Sequence, residues 1–338
     1  MEMMVSLCVV AYNEAKILPS LLEDLKKQTY PHNLTEIVLV NSMSTDETRK
    51  IMENFKITEN DYHSITVVDN PKKIQASGWN VAIKNASGDV IIRIDAHSHI
   101  PKEFVEKNMI LQESGEYVTG GVRPCLIEDG ENPWKMTLLE VENSLFGSSI
   151  SKARSSQEKA YVNSMFHAAY RREVFENVGG FNEKLLRTED NEIHYRIRQY
   201  GYKLCLDPSI ISFQYARGSF RKMIKQKYSN GEWIGLTLGV CPGCLSIYHF
   251  VPLAFVFGII LTSLLIGFGY SLLAIIMWAF YFLFTIISMA FTIKNKKANA
   301  FTILMPFLFL ILHISYGVGT IVGIIKMPFF RKKYNKEP

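Results

Sequence analysis

An α/β fold with a mostly parallel sheet, followed by transmembrane helices, is what this sequence predicts. Three observations predict it. Short apolar runs alternate with helix-period segments through the first 125 residues. Each run ends in polar residues: Tyr12-Asn13-Glu14, Asn41-Ser42, Asp69-Asn70 and Asp95-Ala96-His97. From about Ser246 to Ile325 the chain is almost purely apolar, whereas residues 1–235 have the mixed polarity of a domain in water.

The elements are expected in this order. Val5 to Ala11 is a strand and Ile17 to Leu25 has helical spacing. Glu36 to Val40 is a second strand, and Ser44-Thr45-Asp46-Glu47 forms a capping box that opens a helix to Phe55, with Asp46 a helix-start residue. Ile65 to Val68, a helix over Gln75 to Ala86 and the strand Val90 to Ile94 complete the βα repeats. Beyond residue 125, Trp134 to Phe146 is expected as helix and Tyr161 to Tyr170 as extended chain. Thr188 caps a helix over Glu189 to Tyr200 that Gly201 ends. Short strands over Tyr202 to Leu206 and Ile210 to Tyr215 precede a basic helix from Ser219. Apolar stretches near 246–268, 271–293 and 301–325 are each long enough to span a bilayer. The third contains Pro306, His313, Gly317, Gly319 and Gly323, so a broken or re-entrant segment stays open there. The seam between the soluble and the membrane part is expected at 235/236, with a basic tail at Arg331-Lys332-Lys333.

Charge and cysteines narrow the function classes. The net charge of +5 comes from 37 basic and 32 acidic residues, too even for a nucleic-acid binder. Arg217, Arg221, Lys222, Lys225 and Lys227 precede the apolar region, a place suited to anionic headgroups, a phosphate-bearing ligand or a solvated helix face. Five scattered cysteines do not suggest a disulfide framework, which fits a reducing compartment, and the Cys241-Pro-Gly-Cys244 pair has no further zinc ligands nearby. The amino-terminal segment lacks a basic n-region and reads as a strand, so the soluble part is expected in the cytosol.

Ligands of open parallel sheets bind beyond the carboxyl ends of the strands, where one pocket can collect all four polar clusters. In RIDAHSHIP, extended chain would project Asp95, His97 and His99 from one face until Pro101. Strand one runs into AYNEA without glycines, which removes the dinucleotide turn of a nicotinamide enzyme. A transporter would need more polar residues inside the spans.

The ordered stretches VSLCVVAYNEAKILPSLLEDLKKQ, EIVLVNSMSTDET, GDVIIRIDAH and LRTEDNEIHYRIRQYGYKL resemble family 2 glycosyltransferases of GT-A (Rossmann-like) fold. They are most similar to the membrane-attached branch of succinoglycan-type glucosyltransferases, as is His313-Ile-Ser-Tyr-Gly317. The resemblance implies a nucleotide-sugar half over 1–125, an acceptor half over 126–235 with a basic interfacial helix, and a membrane domain over 236–338. It implies an inverting transfer from a nucleoside-diphosphate sugar, a UDP-sugar first, to a lipid-linked (polyprenyl-diphosphate) or glycan acceptor.

Asp190 matches the family's base, with Glu189 beside it. Ala11, Tyr12, Glu14 and Asn41 match the base and ribose site. Asn stands at 41 where the family usually has Asp, and its amide oxygen still accepts from an imide. Lys73 and Arg217 are candidate diphosphate contacts. Asp95 and His97 would hold a divalent ion, the imidazole favouring Mn²⁺ over Mg²⁺, with His99 a supporting partner or a structural residue. Arg171, Arg172 and Gln226 fall on acceptor-side motifs, and Trp233 on a bilayer-boundary position. A catalytically inactive nucleotide-sugar or glycan-lipid binding scaffold is the alternative.

Overall fold

The structure is a computed structural model that describes residues 3–127, 132–144, 146–147, 156–215, 219–295 and 297–335. In chain order the first half contains β1 (Val5–Ala11), α1 (Leu18–Lys26), β2 (Thr35–Asn41), α2 (Thr48–Thr58), β3 (Ser64–Asp69), α3 (Gln75–Asn85), β4 (Val90–Asp95), β5 (Ser98–His99), α4 (Phe104–Glu113), β6 (Val118–Val122) and β7 (Cys125–Leu126). Then follow α5 (Pro133–Asn143), β8 (Ala160–Val162), β9 (Ala169–Arg171), α6 (Arg172–Val178), α7 (Glu189–Gln199), β10 (Leu204–Ile211), β11 (Phe213–Tyr215) and α8 (Phe220–Thr237). The long apolar helices are α9 (Val251–Gly267), α10 (Leu272–Lys294) and α11 (Met305–Tyr334). The chain forms two compact units, Met1–Pro124 with Lys152–Gln214, and Cys125–Ser151 with Tyr215–Pro338.

The first unit is built on a sheet of order β3-β2-β1-β4-β9-β6-β10-β8. Strands β1 to β4 are parallel, and their register sets Ala11 beside Asn41, Asn41 beside Asp69 and Val10 beside Asp95. The four polar clusters therefore lie in one row along the carboxyl edge. Alternation along β1 sends Val5, Leu7 and Val9 to the core under α1 and α4, and Cys8 to the opposite core with Trp79, Ile193 and Ile197. Strand β9 runs antiparallel between β4 and β6, pairing Ile92 with Ala169 and Val90 with Arg171.

Several expectations change here. Helix α2 starts at Thr48 with Glu47 at the cap, and the capping box does not form. Instead Asp46 accepts from the Thr48 and Ala15 amides, and Ser44 Oγ accepts from Asn13, which fastens two loops together. The 161–170 segment is not one strand, because His167 takes a positive φ of 45° between β8 and β9. The chain also turns at Ala96-His97. His99 then leaves the row of Asp95 and His97 and bonds Asp24 at 2.6 Å while stacking on Phe213, which makes it structural.

In the second unit α8 packs backbone to backbone on α11. A methyl group on Gly231 would overlap the carbonyl of Tyr316, and one on Gly319 the carbonyl of Tyr228. Only glycine permits that approach. Leu138 and Val141 of α5, Met223 of α8 and Met305, Leu308, Phe309 and Leu312 of α11 share one core. The compact units thus divide after Gln214, whereas the soluble part was expected to run to 235: α8 is polar enough to read as soluble, yet its partners are apolar helices. Among the described residues three helices are long and apolar enough to cross a membrane. The third is continuous from Met305 to Tyr334 with Pro306 in its first turn, where no amide donor is needed, so the broken segment is not found. His313 Nε2 lies 2.8 Å from the carbonyl oxygen of Phe146. Trp233 packs edge-on against Phe330. Cys241 and Cys244 form a disulfide within a short turn, while Cys8, Cys125 and Cys205 are buried.

Candidate active site

The carboxyl edge of the sheet gathers a charged cluster around one buried arginine. Arg93, on β4, is flanked by isoleucines and lies under the rings of Trp79 and Phe181 at 4.6 and 5.5 Å. Its guanidinium donates to both carboxylate oxygens of Asp190, from the first turn of α7, and stands 3.7 Å from Asp95 Oδ1. Asp95 and Asp190, read from stretches about a hundred residues apart, therefore share one cation.

Asp95 has further partners. Arg123 Nη1 lies 3.1 Å and His167 Nε2 3.3 Å from its Oδ2. Burial alone would raise this carboxyl, but the His167 contact and the two guanidinium charges hold it well below the usual carboxylate range. Burial keeps His167 below its ordinary value against the pull of Asp95. Glu189 differs in kind. It is 4% exposed, its Oε2 has no hydrogen-bond partner among the described residues, and burial, reinforced by the charge of Asp190, pushes its carboxyl up to about 8.

His97 sits at the rim with its side chain 30% exposed; Nδ1 is 3.4 Å from Glu14 Oε1 and Nε2 is 3.2 Å from the Gln214 amide nitrogen. Those neighbours assign the Nδ1–H tautomer, with Nε2 accepting from Gln214. Among the described residues Asp95 Oδ1 has no donor nearer than Gln75 at 3.5 Å, so it keeps a lone pair for a divalent ion, which His97 Nε2 would join only with the Gln214 amide turned away. Among the described residues there is no group of three or more His, Cys, Asp or Glu that would hold an ion unaided. A ligand's own oxygens would have to complete such a site.

The other expected residues divide. Ala11 ends β1 and is buried, Tyr12 is 51% exposed, and Glu14 is half-buried on a loop stapled through Thr48. Asn41 is buried: Oδ1 accepts from the Ser44 amide at 3.0 Å and Nδ2 donates to Asp69 at 2.8 Å. Its amide is committed inside the protein. Asp69, with a side chain 31% exposed, is the more accessible group at that strand end. Lys73 is exposed at the carboxyl end of β3, in a positive-φ turn.

Arg171 and Arg172 lie elsewhere. Because β9 is antiparallel, they reach the amino edge, where Arg171 donates to the carbonyls of Gln112 and Glu116, and Arg172 to that of Gly88. The same direction brings residues 166–168 to the site. Gln226 is half-buried on α8 of the second unit. Arg217 lies outside the described residues.

A family model described as glycosyl transferase family 2 matches residues 6–179, slightly more than half of the chain. The chain belongs to glycosyl transferase family 2. The match ends before Asp190. Among curated relatives, a Methanococcus voltae dolichyl N-acetyl-alpha-D-glucosaminyl phosphate 3-beta-D-2,3-diacetamido-2,3-dideoxy-beta-D-glucuronosyltransferase is 26% identical over 95% of this chain and 97% of its own length. The succinoglycan biosynthesis protein ExoA of Rhizobium meliloti is 28% identical over 65% of this chain and 66% of its own. The mannosyltransferase PcManGT of Pyrobaculum calidifontis, solved with GDP-Man and Mn²⁺, aligns at a TM-score of 0.64 and 17% identity, covering 95% of this chain and 88% of that one. This likeness places the family 2 domain in the GT-A fold.

Proposed function

We propose that this family 2 protein is an inverting glycosyltransferase that moves a sugar from a nucleoside-diphosphate donor, a UDP-sugar first, to a lipid-linked or growing glycan acceptor. The observation that carries the reading is the shared Arg93, which brings Asp190 and Asp95 into one crevice at the carboxyl edge of the sheet. Asp190, with a side chain 20% exposed, takes the proton of the acceptor hydroxyl as that oxygen attacks the anomeric carbon. Both its oxygens keep lone pairs beyond the bonds from Arg93. Tyr12, Glu14, Asp69 and Lys73 line the donor's side of the row, with Tyr12 a stacking face and Lys73 a charge for the diphosphate. Asp95 and His97 would hold a divalent ion, Mn²⁺ or Mg²⁺, which neutralises charge on the departing diphosphate when bound. The mannosyltransferase solved with Mn²⁺ supports that expectation.

Three apolar helices support a multi-pass cell-membrane protein whose catalytic unit faces the cytosol. Tethering of this kind raises the local concentration of a polyprenyl-linked acceptor. The relatives' names, one a dolichyl-phosphate-linked transferase and one a polysaccharide biosynthesis protein, support the acceptor class. The test is nucleoside diphosphate release from a panel of nucleotide sugars with Mn²⁺. Wild type releases it, and Asp190→Asn is slower by about 10²- to 10⁴-fold. Equal rates for the two proteins would remove Asp190 as the base, and no release from either would favour the binding scaffold.

A further inference from the structure

Three consecutive residues on the approach to β9 touch Arg123, Asp95 and the backbone of Arg93. The Phe166 ring lies 3.6 Å under the Arg123 guanidinium, His167 contacts Asp95, and the Ala168 carbonyl accepts from the Arg93 amide at 3.1 Å. His167 occupies the centre in a left-handed conformation that non-glycine residues rarely adopt. Such a conformation persists where the surroundings over-determine it. Both ring nitrogens are used: Nε2 is 3.3 Å from Asp95 Oδ2 and 3.1 Å from Ser98 Oγ, and Nδ1 is 2.9 Å from Ser212 Oγ. With Nε2–H directed at Asp95, Nδ1 accepts from the Ser212 hydroxyl. Ser212 lies between β10 and β11, and two residues on, Gln214 holds His97.

From this geometry we infer that His167 is the positioning residue of the donor site. It sets the Asp95 carboxylate directly and, through Ser212 and the start of β11, the orientation of His97. It touches neither substrate nor reacting atoms, since it is 1% exposed. The serine, histidine and aspartate line up like a nucleophilic triad, but Ser212 is 3% exposed and no substrate reaches it. The inference rests on the proposed donor site.

Its signature is a split between binding and turnover. His167→Ala should weaken nucleoside diphosphate binding by calorimetry, raise the donor KM and shift manganese activation, each by about 10- to 100-fold. At saturating donor kcat should stay within a few-fold of wild type, because Asp190 is held by Arg93. His167→Gln, which keeps an N–H for Asp95 but loses Ser212, should restore most of the binding. Ser212→Ala should disturb manganese activation with a smaller change in nucleotide binding. If wild type binds no nucleoside diphosphate, the proposed function itself fails. If wild type binds and His167→Ala binds equally well, or loses kcat and folding stability with KM unchanged, His167 is only structural and this inference fails alone; should His167→Ala not fold, His167→Gln and Ser212→Ala still decide, since wild-type binding and manganese activation in both would overturn it.

Discussion

The amino edge of the sheet buries one carboxylate and the carboxyl edge several, and the two are built on opposite principles. At the amino edge Glu36 accepts from Ser6 Oγ, from the amides of Ser87 and Gly88 and from Ser87 Oγ, and Arg172 donates to the Gly88 carbonyl nearby. Burial would raise Glu36, yet those donors hold it below its usual value. At the carboxyl edge, among the described residues, Glu189 has an oxygen with no hydrogen-bond partner, Asp95 Oδ1 has only distant donors, and Asp190 keeps part of its surface. Saturation marks the edge that holds the fold. Spare bonding capacity marks the edge that awaits a ligand.

Substitutions at the two edges should therefore separate stability from turnover. Asp190→Asn, with its loss of about 10²- to 10⁴-fold in transfer, is the largest effect expected. Next is Glu36→Gln, which points an amide at two backbone donors. It should lower unfolding free energy by about 3 kcal/mol in denaturant titrations while turnover per folded molecule is unchanged. A loss of turnover in the folded fraction would erase the contrast between the edges. Glu189 then gives a pH test. Its folded pKa lies above the unfolded one, so the neutral acid is favoured in the native state, and the cost of ionising it grows as pH rises from about 4.5 toward 8. Glu189→Gln should be close to wild type near pH 5 and exceed its stability by about 4 kcal/mol at pH 8, read from melting curves across that range. A pH-independent difference would show that Glu189 is solvated. Arg172→Ala should be mildest, about 1 kcal/mol in stability, with the donor-release rate within twofold of wild type. A tenfold rate loss would restore Arg172 to the acceptor side.

Much of this was legible in the sequence because strand ends, caps and helix starts are local signals. The four polar clusters form the expected row, and Thr188 precedes the helix that carries Asp190. What escaped depends on direction and on partners distant in sequence. Nothing in Tyr170-Arg171-Arg172 reveals that its strand runs antiparallel, and that alone decides that His167 enters the site while the arginines leave it. Arg93 did leave a trace, a charge flanked by isoleucines in an otherwise apolar strand, which calls for a buried counter-ion. The division after Gln214 escaped because hydropathy records how polar α8 is, whereas its glycines at 231 and 235 record how closely another backbone must approach.

That last contact has a consequence for how the protein is made. The catalytic sheet can close as soon as β10 leaves the ribosome, but α8 finds its seat only when Gly319 and Gly323, some ninety residues after its own glycines, have been synthesised. Until then a basic helix waits with its glycine groove bare. A chain cut short before Met305 would keep every catalytic side chain described here and still lack the surface that holds α8 in place.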